Sequence, residues 1–183
     1  IDGSRMRRRA WKKRLRRTVL MFGGLFLLFL GLDLAFPLPE EKPWSQVVTA
    51  RDGTVLHAFL SRDEQWRLRT TVDEVPPELV TALIAKEDRY FYRHFGVNPL
   101  AILRAAFSNL SSGRRVSGAS TITMQVARLM EPKERTWWNK AREAFRALQL
   151  EWHYSKTEIL NLYLSYLPYG GNVQGVKAAS LQF

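Results

Sequence analysis

The chain opens on a cationic stretch, RMRRRAWKKRLRR, that gives way after Arg17 to an apolar run, Thr18 to Phe36, whose single charge is Asp33. Wound as an α-helix at ~1.5 Å per residue, that run covers about 28 Å, close to the hydrocarbon thickness of a bilayer. Asp33 falls near its far end, where a charge costs much less than at the centre. A cleaved signal peptide shares this order but has a shorter apolar core, and no small-residue cleavage site follows here. A buried core helix rarely lacks a polar face over so long a run. The pattern predicts an uncleaved signal anchor at 18–36. Lysines and arginines just before it place residues 1–17 in the cytoplasm and everything after Pro37 outside the membrane.

Pro37, Pro39 and Pro43 predict a stiff exit from the span. Two β-rich runs, QVVTA and TVLHAFL, flank Asp52-Gly53 and predict a hairpin within a linker at 37–76. From Pro76-Pro77 the period turns helical. Helices are predicted from Pro77 to about Arg93, over Pro99–Leu110, Thr121–Met130 and Trp137–Tyr154, and after the capping box Ser155-x-x-Glu158. SSGRRVSG, between the second and third of these, reads as a polar, mobile connection. No internal repeat is visible. The first residue is Ile rather than Met, and NVQGVKAASLQF stops without a cap, so the chain reads as a fragment of a longer protein whose domain at 77–183 is incomplete.

Composition narrows the function classes. With no cysteine there is neither a disulfide framework nor a thiolate metal site, and His57, His94 and His153 are too scattered for an H-x-x-x-H zinc site. The net charge of +11 would point to nucleic acid, but +8 of it lies in residues 1–17. A basic stretch beside a membrane span meets anionic lipid headgroups more simply.

Stepping 100° per residue from Leu79 gathers Val80, Leu83, Ile84, Tyr90, Phe91 and His94 into one arc with Glu87 in its middle, while Asp88 points away. An apolar setting would raise the pKa of Glu87 and suit it to general acid or base work; a structural pairing with His94 or an arginine is the alternative. In GASTITMQVARL, Ile122, Val126, Leu129 and Met130 make an apolar stripe, and Thr121, Gln125 and Arg128 align opposite. Gly118 and Ser120 precede a helix N-terminus whose free N–H groups suit phosphate; an ordinary capped amphipathic helix is the alternative. Further on, Trp137, Trp138, Ala141, Phe145, Leu148 and Trp152 predict a core face. Lys140 and Glu143 share its flank, a spacing that equally suits a surface ion pair.

Four segments in order resemble the peptidoglycan glycosyltransferase domain (glycosyltransferase family 51) of class A penicillin-binding proteins. Glu87-Asp88-x-x-Phe91-x-x-His94-x-Gly96 fits the family's E-D-x-x-F-x-x-H-x-G. Gly118-x-Ser120-Thr121-x-Thr123-x-Gln125 fits G-x-S-T-x-T-x-Q. Asn139-Lys140-x-x-Glu143 fits R-K-x-x-E except at its first position, and Lys156-x-x-Ile159-Leu160-x-x-Tyr163-Leu164 fits the helix motif that follows. The match covers about residues 45 to 183.

The resemblance implies a mainly α, lysozyme-like α+β fold, C-terminally truncated, behind one transmembrane helix and a short β-hairpin. It implies polymerisation of lipid II into β-1,4 glycan strands with inversion and release of undecaprenyl pyrophosphate. Glu87 and Glu143 are then the catalytic pair, with Glu87 the general base. Asp88, Phe91, His94, Ser120, Thr121, Gln125, Arg128 and Lys140 contact substrate. No cofactor is required, although some members use a divalent metal such as Mg or Mn. The implied partners are lipid II, the growing strand, the bacterial inner membrane and other cell-wall synthesis proteins, with the catalytic domain periplasmic. Asn139 stands where the family has arginine, which removes one phosphate contact. Met124 replaces a glutamine, Arg128 a common lysine and Ser165 an asparagine. Two other functions stay open: a lysozyme-like lytic transglycosylase, which would shorten glycan strands, and a non-catalytic scaffold that binds lipid II.

Overall fold

The computed structural model describes residues 3–112 and 118–183, with residues 3–10, 106 and 109 by backbone alone. The connection SSGRRVSG lies largely outside the described residues. The chain divides into two units, one reaching to Leu38 and the other running Pro39–Phe183. The first is helix α1 (Gly3–Ala35), which carries the cationic and apolar stretches as one rod. Its segment Trp11–Ala35 is long and apolar enough to cross a membrane, and only 6% of its most apolar window is buried.

The second unit is mainly helical with two small sheets. Strands β1 (Val47–Thr49) and β2 (Val55–Ala58) form the expected antiparallel hairpin, with Val47 opposite Ala58. Its turn is closed by Gly53 N–H donating to Ala50 O and Thr54 N–H to Asp52 Oδ1. Strand β3 (Trp66–Arg67) follows, then helices α2 (Pro77–Glu87), α3 (Pro99–Ser112), α4 (Ile122–Met130), α5 (Trp137–His153) and α6 (Lys156–Tyr166). Strands β4 (Pro168–Gly170) and β5 (Val173–Gln174) and helix α7 (Val176–Gln182) complete the chain. The three-stranded sheet β3-β5-β4, with β3 and β5 parallel, was not foreseen; two-residue strands carry too little alternation to be read.

Helix α4 is the hub, packed against α5 and α6. Ile122, Thr123, Met124, Val126, Ala127 and Met130 are all buried, so its amphipathic pattern is covered nearly all round. Thr121 caps it, accepting from Met124 N–H and donating through Oγ1 to Gly96 O at 2.5 Å. Helix α6 starts with the predicted capping box, Ser155 with Glu158.

Two expectations fail. The helix from Pro77 ends at Glu87 rather than near Arg93, and Phe91–Arg93 form a separate 3-10 turn. Asp88 leaves helical geometry at φ −157°, ψ 75°, because its carboxylate is needed elsewhere. It lies 2.9 and 3.0 Å from His94 Nε2 and accepts the Ile122 N–H at 3.1 Å. The apolar arc drawn through Tyr90, Phe91 and His94 therefore does not form. On α5, Trp137 is 93% and Trp138 78% exposed, and Trp152 is half-exposed; the buried residues are Arg146, Ala147, Gln149 and Leu150. The buried face of α5 is thus the one carrying Arg146, Ala147, Gln149 and Leu150 rather than the tryptophans.

Gly96 makes the tightest approach between loop and helix. Its φ is +74°, and a Cβ there would meet Ala147 O at 2.6 Å. At the other end of the unit, Arg67 is fully buried. Its guanidinium donates to both oxygens of Asp63 at 3.1 and 2.8 Å, to Gln174 Oε1 at 2.8 Å and to Pro43 O at 2.5 Å. Those bonds hold the Asp63 carboxyl down at about 2, below its ordinary value of 3.8.

A depressed carboxylate stabilises the fold fully above its unfolded pKa, and that contribution is lost as pH falls toward the folded value. Asp63→Asn should therefore flatten the loss of stability between about pH 4 and pH 2. At neutral pH it should cost about 1–2 kcal/mol, a figure discounted because Asp63 is partly exposed. Urea denaturation of residues 39–183 across pH reads both. Gly96→Ala should cost more than about 2 kcal/mol by the same measurement, from positive φ and the carbonyl clash together.

Candidate active site

Glu87 is the last residue of α2, half-buried, and the chain's departure at Asp88 leaves its side chain at the helix end. Gln125, one turn into α4, donates from Nε2 to Glu87 Oε2 at 3.1 Å. The same amide accepts through Oε1 from the Tyr163 hydroxyl at 3.4 Å. Tyr163 is buried on α6, and its hydroxyl is pushed up to about 12, chiefly by that burial and next by the nearby Glu87 carboxylate. Arg128 on α4 acts on the same hydroxyl in the opposite sense.

A second group forms where α5 meets the start of α4. Lys140 Nζ lies 2.8 Å from Glu143 Oε2 and donates to Ser120 Oγ at 2.7 Å. The Lys140 side chain keeps about a third of its surface in water, while the Glu143 side chain is 17% exposed. Beyond it Glu131 gathers cations, accepting from Arg142 at 2.9 Å and Lys133 at 3.1 Å, with Arg146 Nε at 3.9 Å. A shallow depression lined by Glu131, Asn139, Arg142, Glu143 and Arg146 opens there. Helix α4 joins the two groups. Ser120, just before its cap, meets Lys140, and Gln125, one turn on, meets Glu87.

Asp88, Phe91, His94 and Thr121 sit beneath this surface. Phe91 is fully buried, and the His94 and Asp88 side chains keep 7% and 5% of their surface. Lys156 Nζ lies 4.3 Å from the Phe91 ring centroid and donates to His94 O at 2.8 Å and Glu151 Oε1 at 2.7 Å. Thr123 donates to the same Glu151 oxygen. The open helix N-terminus expected for phosphate is already occupied. Ile122 N–H is taken by Asp88 and Met124 N–H by Thr121, so a protein carboxylate holds the place of the anion.

Sequence reasoning gave Tyr163, Glu131 and Glu151 no role at the site. For Tyr163 the available signal was its place in the fourth of the family-like segments, within ILNLYLSY; for the glutamates only spacing to lysine and arginine was visible. Among the described residues no three His, Asp or Glu side chains converge into a metal-holding group. Glu143 is already paired with Lys140 and Glu131 with Arg142 and Lys133, so these residues do not make a metal site by themselves.

Of the departures from the family pattern, Met124 is buried in α4. Ser165 accepts the Thr70 N–H at 2.9 Å and donates to Asn161 O at 2.7 Å. Asn139 donates to Glu134 O across the start of α5.

Comparison with known proteins shows the family to which the chain belongs. Residues 52–183 match the family described as Transglycosylase. Penicillin-binding protein 1C of Escherichia coli K12 is 52% identical over 160 residues, which are 85% of this chain and 21% of that protein. Penicillin-binding protein 1A of Aquifex aeolicus is 42% identical over 171 residues, 87% of this chain and 23% of that protein. Penicillin-binding protein 1B of Vibrio cholerae is 45% identical over 152 residues, 82% and 18% of the respective chains. The chain thus spans about a fifth of the length of the curated relatives it matches. Glu87 and the Lys140–Glu143 pair both lie within the matched segment, and this chain belongs to the transglycosylase family.

Proposed function

We propose that this chain is the glycosyl-transferring part of a membrane-anchored peptidoglycan polymerase that joins lipid II units into β-1,4 glycan strands. The observation that carries the reading is the setting of Glu87: a half-buried carboxylate with one oxygen held by Gln125 and the other left for substrate, beside a lysine-centred group. Asp33, Pro37 and the cationic tail support an anchor at 18–36 with residues 1–17 cytoplasmic and the domain at 77–183 outside the inner membrane. Other cell-wall synthesis proteins are the natural neighbours there.

In this reading Glu87 takes the proton from the 4-hydroxyl of the acceptor's GlcNAc as that oxygen forms a bond to C1 of the donor's MurNAc. The bond from C1 to the phosphate oxygen breaks, the anomeric centre inverts, and undecaprenyl pyrophosphate carries away the electron pair. Charge grows on the departing oxygen, and donors already in place stabilise it most. Lys140 and Ser120 supply such donors, and Arg128 adds a second cation. Glu143 holds Lys140 at 2.8 Å before substrate arrives, which keeps the ammonium oriented. Asp88, His94, Phe91 and Thr121 act from beneath by holding the end of α2 against the start of α4.

On the complete polypeptide in detergent with lipid II, long strands are expected, and Glu87→Gln should lower the rate by about 100-fold or more while lipid II still binds. Glu143→Gln should weaken the donor side and raise KM together with lowering kcat. Glycan strands that shorten, or a Glu87→Gln variant as active as the parent, would overturn the reading. Bound lipid II without product from the parent would favour the scaffold.

A further inference from the structure

Two oxygens of Glu87 must do different things if it is to act as a base, and nothing on α2 itself distinguishes them. The distinction comes from Gln125, whose amide is a two-sided group: its NH₂ donates, its oxygen accepts, and either end can face Glu87. Faced by the amide oxygen, an ionised carboxylate is repelled; faced by NH₂, it is stabilised and one oxygen is taken. What selects between the two is on α6. The Tyr163 hydroxyl, 2% exposed as a residue, points at Gln125 Oε1 from 3.4 Å, on the side away from Glu87.

We infer that Tyr163 is a positioning residue for the transfer reaction: by holding the Gln125 amide it turns the NH₂ end to Glu87, with Oε2 occupied and Oε1 open to the acceptor hydroxyl. The inference rests on the reading of Glu87 as the general base. A phenylalanine would fill the same volume in α6, so the apolar packing of this position does not call for a hydroxyl. The hydroxyl stays protonated throughout the working range, since burial and the Glu87 carboxylate hold it near 12, and it is therefore a constant donor. The groups that bear electrostatically on it are Glu87 from α2, Arg128 from α4 and Tyr169 from β4.

The test is the pH profile of kcat/KM for lipid II polymerisation by the complete polypeptide, parent and Tyr163→Phe, each checked for unchanged thermal unfolding. Loss of the hydroxyl should move the acidic limb to higher pH and lower kcat by roughly 3- to 10-fold, with KM changed less than about twofold. In a Gln125→Ala background the same substitution should have almost no further effect, because the group it acts through is gone. An acidic limb that stays in place, or losses from the two substitutions that simply multiply, would overturn the role of Tyr163 while leaving Glu87 as the base. A Glu87→Gln variant that retains activity would instead overturn both.

Discussion

The carboxylate of Asp88 is the contact on which the arrangement turns. It ends α2 by leaving helical geometry, lies against His94 from the following turn, and accepts the first N–H of α4, 34 residues on. A helix N-terminus carries partial positive charge, so a buried carboxylate there is stabilised in a way it would not be in an apolar core. One side chain thereby fixes the distance between Glu87, its immediate neighbour in sequence, and Gln125, one turn into α4. The glutamate that does chemistry in our reading and the aspartate that builds its setting are adjacent. Only the turn at Asp88 lets one face outward and the other inward.

Much of this was legible in the sequence where local chemistry decides it. The hairpin at Asp52-Gly53 and the capping box at Ser155 and Glu158 follow from side chains bonding to nearby backbone, and both form as read. The end of α2 was not legible, because the apolar period runs on through Tyr90, Phe91 and His94 while a tertiary bond to Ile122 overrides it. On α5 the tryptophans gave the larger apolar signal, yet the helix buries the smaller Ala147 and Leu150 instead. Lys140 and Glu143 were spaced for an ion pair, and they make one; its meaning depends on Ser120 across the gap, which spacing along one helix does not reveal.

The same logic separates the departures from the family's motifs. Met124 and Ser165 are absorbed into packing and backbone bonding, Ser165 tying Thr70 to α6 through a hydroxyl. Asn139 differs: it stands at the rim of the depression beside Arg142 and Glu143, and its amide is spent on Glu134 O rather than turned toward the cations. The cationic character of that rim comes instead from Arg142, Lys133 and Arg146, gathered by Glu131.

Arg67 adds a constraint of another kind. Its guanidinium is fully buried, and a fourth part of its hydrogen bonding, to Gln174, comes from 107 positions later in the chain. Strand β3 likewise has no neighbour until Val173 and Gln174 exist. A ribosome making this polypeptide from its N-terminus delivers Trp66 and Arg67 long before their partners. Throughout that interval a two-residue strand and a cation destined for the interior have Asp63, Pro43 and Ser45 as the partners already made. Closure of the three-stranded sheet therefore waits on almost the whole of the helical segment, and translation halted before Val173 leaves β3 without a sheet.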